Sequence, residues 1–543
     1  MTLTIRWLST APDIARGRID QVARQCGVLP SDGEETDLAV AVTWSADPGL
    51  RYDPVHRRST DESYLLELGA TPRDDAGVIV TAQRSLRWAL VDLAERARSG
   101  RWAGGRHRCG PAFGIRGVIE GFYGPPWTQE ARLDMVDFAS RKRFNTFLYA
   151  PKDDPYLRRL WRQPHDDEAR QRLQAMVDRC QERDLDPMVG VAPGLTMRYS
   201  SAEDADLLGG KVGSLVKLGA TSIALLLDDI PDRLQHPADV EEFPDLATAQ
   251  AETANRLYDL IPSEVSLVVC PTVYWGEGDE EYISRLGDEL DPRIDLFWTG
   301  RAICSPAITA NEAAHFARTT RRPPMYWDNY PVNDVAMRHE MHIGPYQNRD
   351  SLLDRFSHGV MANAMEYPEA SKIALATIAD YLWDPSAYDA ERSWQAAIVE
   401  VAGAADAPSL AAFADTVRAS CLSDPDPVRL TAALQRFAFQ LEADERQIAG
   451  PELAAMAGEL AAAADHLLGN GIENLSLRAE LLPWLVKFRL GADAVGLVAA
   501  HAAGGPIDPG AREELTEILT QLRNDSHRVF GDVLEMTIAD LIA

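Results

Sequence analysis

An α/β chain organised around a (β/α)8 barrel, with an N-terminal α+β domain before it and an all-helical C-terminal domain after it, is what this sequence predicts. Three observations carry the prediction. Between residues 114 and 385, eight short apolar runs alternate with stretches whose apolar residues recur at helical spacing. Ahead of that region strand-like and helix-like stretches alternate less regularly, and behind it strand signals disappear. The boundaries read this way are 1–110 for the N-terminal domain, 111–388 for the barrel and 389–543 for the helical domain.

A chain of 543 residues is too long for one hydrophobic core, so several domains are required. The first contains "TLTIRWL", "DIARGRIDQVARQCG", "TDLAVAVTWS", "SYLLELGA", "GVIVTA" and the amphipathic "SLRWALVDLAERARS", and closes with the Gly-rich, basic linker "GRWAGGRHRCG". No chemistry concentrates there. The barrel strands, in order, are "IRGVIEGFYG", "NTFLYAPK", "PMVGVAPG", "TSIALLLDDI", "VSLVVCPTVYW", "RIDLFWTG", "PMYWDNYP" and "GVMANAMEY". Amphipathic stretches such as "TQEARLDMVDFASRKRF" and "DEARQRLQAMVDRCQERDL" separate them. Eight βα units in about 270 residues suit a barrel of this kind. Past "ADYLWDPSAYDAERSW" the chain turns Ala- and Leu-rich, and those apolar faces read as the core of a helical domain of about 150 residues.

Composition narrows the partners. A net charge of −29 repels nucleic acid and anionic membrane, so neither is expected. The start, "MTLTIRWLSTAPDIARGRID", has no basic stretch followed by a long apolar core, and no segment reaches 18 uninterrupted apolar residues, so a cytoplasmic protein is expected. Six cysteines at 26, 109, 180, 270, 304 and 421 form no C-x-x-C pair and read as reduced thiols. Histidines fall mostly in helices or loops rather than at strand ends, so no metal or other cofactor is expected. The seventh and eighth strands lack the Gly-rich turn of a phosphate site. The sequence is silent on oligomeric state.

In such a barrel the chemistry belongs to the C-terminal ends of the strands. Those ends offer Glu120 and Gly121, Lys152 with Asp153 and Asp154, Asp228 with Asp229, Tyr274 and Trp275, Trp298 and Thr299, Trp327 with Asp328 and Asn329, and Asn363. Taken singly, Trp298 or Trp327 reads as core packing, Lys152 as a rim charge, Asn363 as a loop residue and Asp153 as a turn cap. Together, aromatic rings, amides and acids at one mouth suit the faces and hydroxyls of a sugar.

The adjacent acids of "LLLDDI" call for their own explanation. Neighbouring strand residues point to opposite sides, so Asp228 and Asp229 cannot both face the axis while the strand stays regular. Ordinary glycosidases place their two carboxyls across the scissile bond. Adjacent acids suit substrate-assisted hydrolysis instead, in which a 2-acetamido oxygen attacks and no enzyme carboxylate becomes a nucleophile. One aspartate then holds the acetamido N–H, and the other, raised by its neighbour's charge, protonates the leaving group.

The segments "RGVIEGFYGPPWTQEARLDMVDFASRKRFNTFLYAPKDDPY", "LLLDDI", "PTVYW", "FWTG", "YWDNYPVND" and "ANAMEYPEASKIALATIADYLW" resemble the catalytic barrel of glycoside hydrolase family 84, the β-N-acetylglucosaminidases that include O-GlcNAcases and bacterial hyaluronidase-like enzymes. The resemblance spans about residues 114 to 385 in order. It implies a retaining exo-β-N-acetylglucosaminidase acting on terminal β-linked GlcNAc of a glycoside or glycoprotein through an oxazoline, with Asp228 polarising the acetamido group and Asp229 as general acid/base. It further implies that Gly121 and Lys152 line the sugar hydroxyls, Tyr274 and Thr299 the acetamido pocket, Trp327 its wall, and Asn329, Asp334 and Asn363 the remaining hydroxyls and acetyl end. Some relatives carry an additional Asn where this chain has "RRPPMYW", so that contact is not expected. An N-acetylhexosaminidase of small oligosaccharides or cell-wall fragments, and a non-catalytic amino-sugar-binding barrel, are the alternative readings.

Overall fold

The computed structural model describes residues 3–7, 13–31, 36–44, 62–72, 74–80, 82–423, 427–443, 445–469, 471–504 and 507–542. A mixed six-stranded sheet comes first: β1 (Leu3–Trp7), β2 (Val28–Pro30), β3 (Leu38–Trp44), β4 (Tyr64–Leu68), β5 (Asp75–Val80) and β6 (Gly105–Cys109), ordered β2-β1-β3-β5-β4-β6. Helices α1 (Asp13–Gln25) and α2 (Gln83–Ser99) accompany it. The stretch read as a linker is in part an edge strand, since β6 pairs antiparallel with β4. Its side chains are mostly exposed and lack apolar alternation, so nothing in the sequence marks it as a strand.

The barrel comprises β7 (Ile115–Glu120), β8 (Thr146–Tyr149), β9 (Asp186–Val191), β10 (Ser222–Leu226), β11 (Ser266–Cys270), β12 (Asp295–Trp298), β13 (Met325–Asp328) and β14 (Gly359–Asn363), all parallel. It closes where β14 pairs with β7, Asn363 opposite Ile119. Each of the eight apolar runs supplies one strand. They read as continuous runs because these strands are buried on both faces, by the barrel interior and by the helices outside. The interior is filled by side chains such as Ile119, Leu148, Ala224, Leu226, Cys270, Phe297, Met325 and Met361.

Around the barrel lie α3 (Gln129–Arg141), α4 (Asp167–Glu182), α5 (Ala202–Lys217), α6 (Pro237–Glu242), α7 (Leu246–Leu260), α8 (Glu281–Glu289), α9 (Ala310–Thr320) and α10 (Pro368–Trp383). Thr128, Asp166, Ser201, Asp245 and Thr309 cap five of them by accepting a backbone N–H in the first turn. The crossover from β13 to β14 departs from the expected unit. Among the described residues it contains only the 3₁₀ turns Val335–Met337 and Leu353–Arg355. Its sequence, "YPVNDVAMRHEMHIGPYQNRD", has two prolines and no apolar stripe at helical spacing.

The helical domain follows as α11 (Ala390–Ala402), α12 (Ala407–Thr416), α13 (Val428–Glu442), α14 (Arg446–Leu468), α15 (Leu475–Gly504), α16 (Pro509–Asn524) and α17 (Val533–Ile542). It shares one hydrophobic core with the outer layer of the barrel. The N-terminal sheet is tied to the opposite end, where buried Glu62 pairs with Arg116 at the start of β7 and accepts from Asn145 Nδ2 at 2.8 Å. Both contacts lie at the N-terminal ends of β7 and β8, opposite the C-terminal mouth. No helix among the described residues is long and apolar enough to cross a membrane.

Candidate active site

Alternation along the strands decides which residues reach the barrel axis. Leu226 faces the interior, so Asp228, two residues on, follows it inward. The same parity carries Leu148 and Ala150 to Lys152, Ile119 to Gly121, Phe297 to Thr299, Met325 through Trp327 to Asn329, and Met361 to Asn363. Asp229 should point outward. Its backbone instead takes a left-handed conformation, φ +53°, which aspartate tolerates better than most residues. That single turn brings both acids to one ammonium, that of Lys152.

Lys152 lies between them. Its ammonium pairs with Asp228 Oδ2 and stands 3.7 Å from Asp229 Oδ2. Burial acts to lower the Lys152 value, but the two carboxylates outweigh it and hold the ammonium above its ordinary range, fully charged. Asp228 Oδ1 is buried and finds no hydrogen-bond partner. Asp229 accepts from two tyrosines, Tyr123 Oη at 2.7 Å on Oδ2 and Tyr274 Oη at 3.0 Å on Oδ1. Burial pushes both phenols up, with Asp229 adding to the rise, so they remain donors.

The other wall is an amide and indole cluster. Trp327 Nε1 donates to Asn329 Oδ1 at 2.9 Å, and Asn363 Nδ2 donates to the same oxygen at 3.0 Å. Asn329 Nδ2 in turn donates to the Ile303 carbonyl at 2.8 Å, and Asn363 Oδ1 is buried without a partner. The Lys152 ammonium stands 6.0 Å from the Trp327 ring. Gly121 lets that ring approach: a Cβ there would stand 2.8 Å from Trp327 Cζ2 and 2.7 Å from Ile119 Cγ2. Thr299 commits its hydroxyl to the Ala302 carbonyl at 2.8 Å. Asp334 Oδ2 accepts from the Tyr123 amide at 2.7 Å, and burial holds its carboxyl above the usual range. The ten residues singled out from the sequence thus lie along one connected mouth.

Several strand-end residues do not join them. Glu120 is fully buried outside the barrel in an ion pair with Arg132 at 2.6 Å, and Asp328 is held the same way by Arg349 at 2.7 Å. Trp298 stacks on Phe316, 4.7 Å between centroids, in the outer core. Each is one residue out of phase with an inward neighbour. The turn after β8 is capped by Asp154, which accepts from the Tyr156 amide at 2.8 Å, rather than by Asp153.

The electrostatic expectation for Asp229 also needs correcting. Burial does raise its carboxyl, but the Lys152 ammonium, the Tyr123 and Tyr274 hydroxyls and the Arg158 guanidinium together hold it below the ordinary carboxylate range. Two contributors were missed from the sequence: Tyr123, just past β7, and Arg158, which donates to Tyr123 Oη at 3.2 Å. The apolar run "IEGFYG" masks the first, and the second lies in a loop with no motif. Among the described residues no group of three or more His, Cys, Asp or Glu is placed to hold a metal. A cleft of about 870 Å³ beside β6 is lined by Arg106, Arg108, Asp92 and Asp384 among others and by none of these residues.

Residues 116–415 match the family model described as NAGidase, beta-N-acetylglucosaminidase. The O-GlcNAcases of Rattus norvegicus and Mus musculus are each 32% identical over 289 residues, which is 51% of this chain and 31% of those proteins. A mutant of the Thermobaculum terrenum O-GlcNAc hydrolase superposes with a TM-score of 0.74 at 32% identity, covering 79% of this chain and 95% of that one. The structure of CpGH84B shares the fold, with a TM-score of 0.83 at 23% identity over 100% of this chain and 97% of its own. The family match takes in more than half of the sequence and, but for Ile115, every strand of the barrel, and the chain therefore belongs to the β-N-acetylglucosaminidases of glycoside hydrolase family 84.

Proposed function

We propose that the protein is a retaining exo-β-N-acetylglucosaminidase that removes terminal β-linked GlcNAc by substrate-assisted catalysis, from O-GlcNAc-modified protein or other glycoconjugates. One observation carries the reading: Asp228 is a buried carboxylate whose Oδ2 is held by Lys152 and whose Oδ1 lacks a donor. An acetamido N–H supplies that donor. Its carbonyl oxygen is then turned toward the anomeric carbon, and the carboxylate offsets positive charge as the oxazoline forms. No nucleophile from the enzyme is needed, which explains why the two acids are neighbours instead of facing each other across the bond.

In the first step the acetamido oxygen bonds to the anomeric carbon, the glycosidic bond breaks, and the Asp229 proton passes to the departing oxygen. In the second, Asp229 takes a proton from water as the water attacks the same carbon, and the oxazoline reopens. Two inversions give net retention. The surroundings of Asp229 favour its ionised form, so binding must raise it. A sugar in the mouth removes water from a side chain that is 32% exposed, strengthening the one influence that already pushes it up. Asn363 Oδ1 accepts from a sugar hydroxyl, Tyr274 and Thr299 border the acetyl group, Asn329 and Asp334 serve the remaining hydroxyls, and Trp327 over Gly121 forms the wall.

The test compares an aryl β-N-acetylglucosaminide with the matching β-glucoside, for wild type, Asp228→Ala and Asp229→Ala. Cleavage of the acetamido sugar alone is expected. Asp228→Ala should lose activity on every leaving group, and Asp229→Ala far more on poor leaving groups than on activated ones. Cleavage of the plain glucoside at a comparable rate would refute the mechanism.

A further inference from the structure

The β13 to β14 crossover carries Asn329 and Asp334 yet, among the described residues, has no α-helix of its own, and the helical domain holds it in place. Trp484 Nε1 on α15 donates to the His339 carbonyl at 2.9 Å, and the Arg528 amide, between α16 and α17, donates to the same carbonyl at 2.8 Å. The Arg528 guanidinium reaches Glu340 Oε1 at 3.0 Å, while Glu340 Oε2 lies 2.7 Å from His342 Nε2. The other His342 nitrogen lies 2.9 Å from the Val332 carbonyl. Asn333, 2% exposed, donates to the Glu340 carbonyl at 2.7 Å. The next residue is Asp334, whose carboxylate holds the Tyr123 amide, and Tyr123 Oη donates to Asp229.

These ties are polar and directional, so they fix the height of the crossover as apolar packing alone would not. Their anchors are themselves packed: His527 lies edge-on against Trp484 at 4.7 Å, and Phe530 stacks on Phe488 at 5.7 Å. We infer that Arg528 and Trp484 are positioning residues of the active site, which the helical domain uses to set Asp334 and, through Tyr123, the surroundings of Asp229. The inference rests on the glycosidase reading above for its kinetic consequence, and on geometry alone for its structural one.

Two readouts separate those parts. Hydrogen exchange at the Tyr123 amide, bonded to Asp334, should accelerate about tenfold in Arg528→Ala and in Trp484→Phe. It should be unchanged in Arg436→Ala, which removes an exposed pair with Glu452 in the same domain. For an aryl β-N-acetylglucosaminide, Arg528→Ala should raise KM about tenfold with kcat within about threefold, and Arg528→Lys should recover part of the loss. Unchanged Tyr123 exchange in a folded Arg528→Ala, or in Trp484→Phe and Arg528→Lys should that variant not fold, would overturn the inference whatever the kinetics. Accelerated exchange in a protein that cleaves no such glycoside would sustain it and refute the glycosidase reading instead.

Discussion

Lys152→Met should destabilise the barrel by about 3–5 kcal/mol, because it leaves a buried carboxylate with nothing to neutralise it. Asp228 is 9% exposed at its side chain, Lys152 holds its Oδ2, and its Oδ1 has no partner in the structure. Asp229 loses its nearest cation, now 3.7 Å away, but keeps two tyrosine donors and partial contact with water. Most of the cost therefore falls on Asp228. Adding Asp228→Asn should restore at least about 2 kcal/mol of it, since the amide carries no charge to bury. Urea unfolding at pH 7, followed by tryptophan fluorescence, gives the midpoints for wild type, both single variants and the double variant. Additivity within about 0.5 kcal/mol would refute the view that Lys152 is there to compensate Asp228.

Other consequences follow from the same geometry. Gly121→Ala forces Trp327 away from its contact, which should cost about 1–3 kcal/mol by overpacking and raise KM, whereas Gly210→Ala, inside α5 with nothing within 4 Å of the new methyl, should gain about 0.5–1 kcal/mol in the same unfolding assay. Asp229 sits below its ordinary value, so the stability it contributes is complete above about pH 4 and is lost as pH falls through the folded-state value. Tyr274→Phe removes one donor and should move that titration upward by carboxyl NMR; no movement would contradict the assigned contact. Glu480 on α15 accepts from the Glu369 and Ala370 amides at the start of α10, and burial pushes its carboxyl from 4.5 up to about 7. Its folded form holds the proton longer than its unfolded form, so stability should fall by up to about 3 kcal/mol as pH rises from about 4.5 to 7. Glu480→Gln should flatten that slope in melts between pH 5 and 8.

The barrel was legible in the sequence because each parallel strand is buried on both faces and so appears as an uninterrupted apolar run. Polar residues closing such a run stand out. Which of them enter the site was less legible, because one residue of phase separates Gly121 from Glu120, Trp327 from Asp328 and Thr299 from Trp298, and the runs alone do not fix the phase. Counting by two from an interior residue such as Leu226 or Met361 would have sorted them. Asp229 defeats even that count, since its inward direction comes from a left-handed backbone that no residue pattern announces. Tyr123 and Arg158 were hidden because their work is on Asp229 and depends on distances across loops. The edge strand β6 and the helix-free crossover before β14 were missed for a shared reason: both are set by what packs beside them, in one case β4 and in the other the helical domain.

Closure of the barrel has a temporal side. The strand that brings Gly121 and leads into Tyr123 is the first of the eight, and the strand that brings Asn363 is the last, yet the two are partners in the ladder. During synthesis the closed mouth cannot exist until the chain has emerged past residue 363, more than 240 residues after Gly121 was made. Such distant pairing is slow to find and leaves an unpaired edge exposed meanwhile. Appearance of glycosidase activity in a refolding or translation experiment would consequently come no earlier than the docking of the final strand against the first.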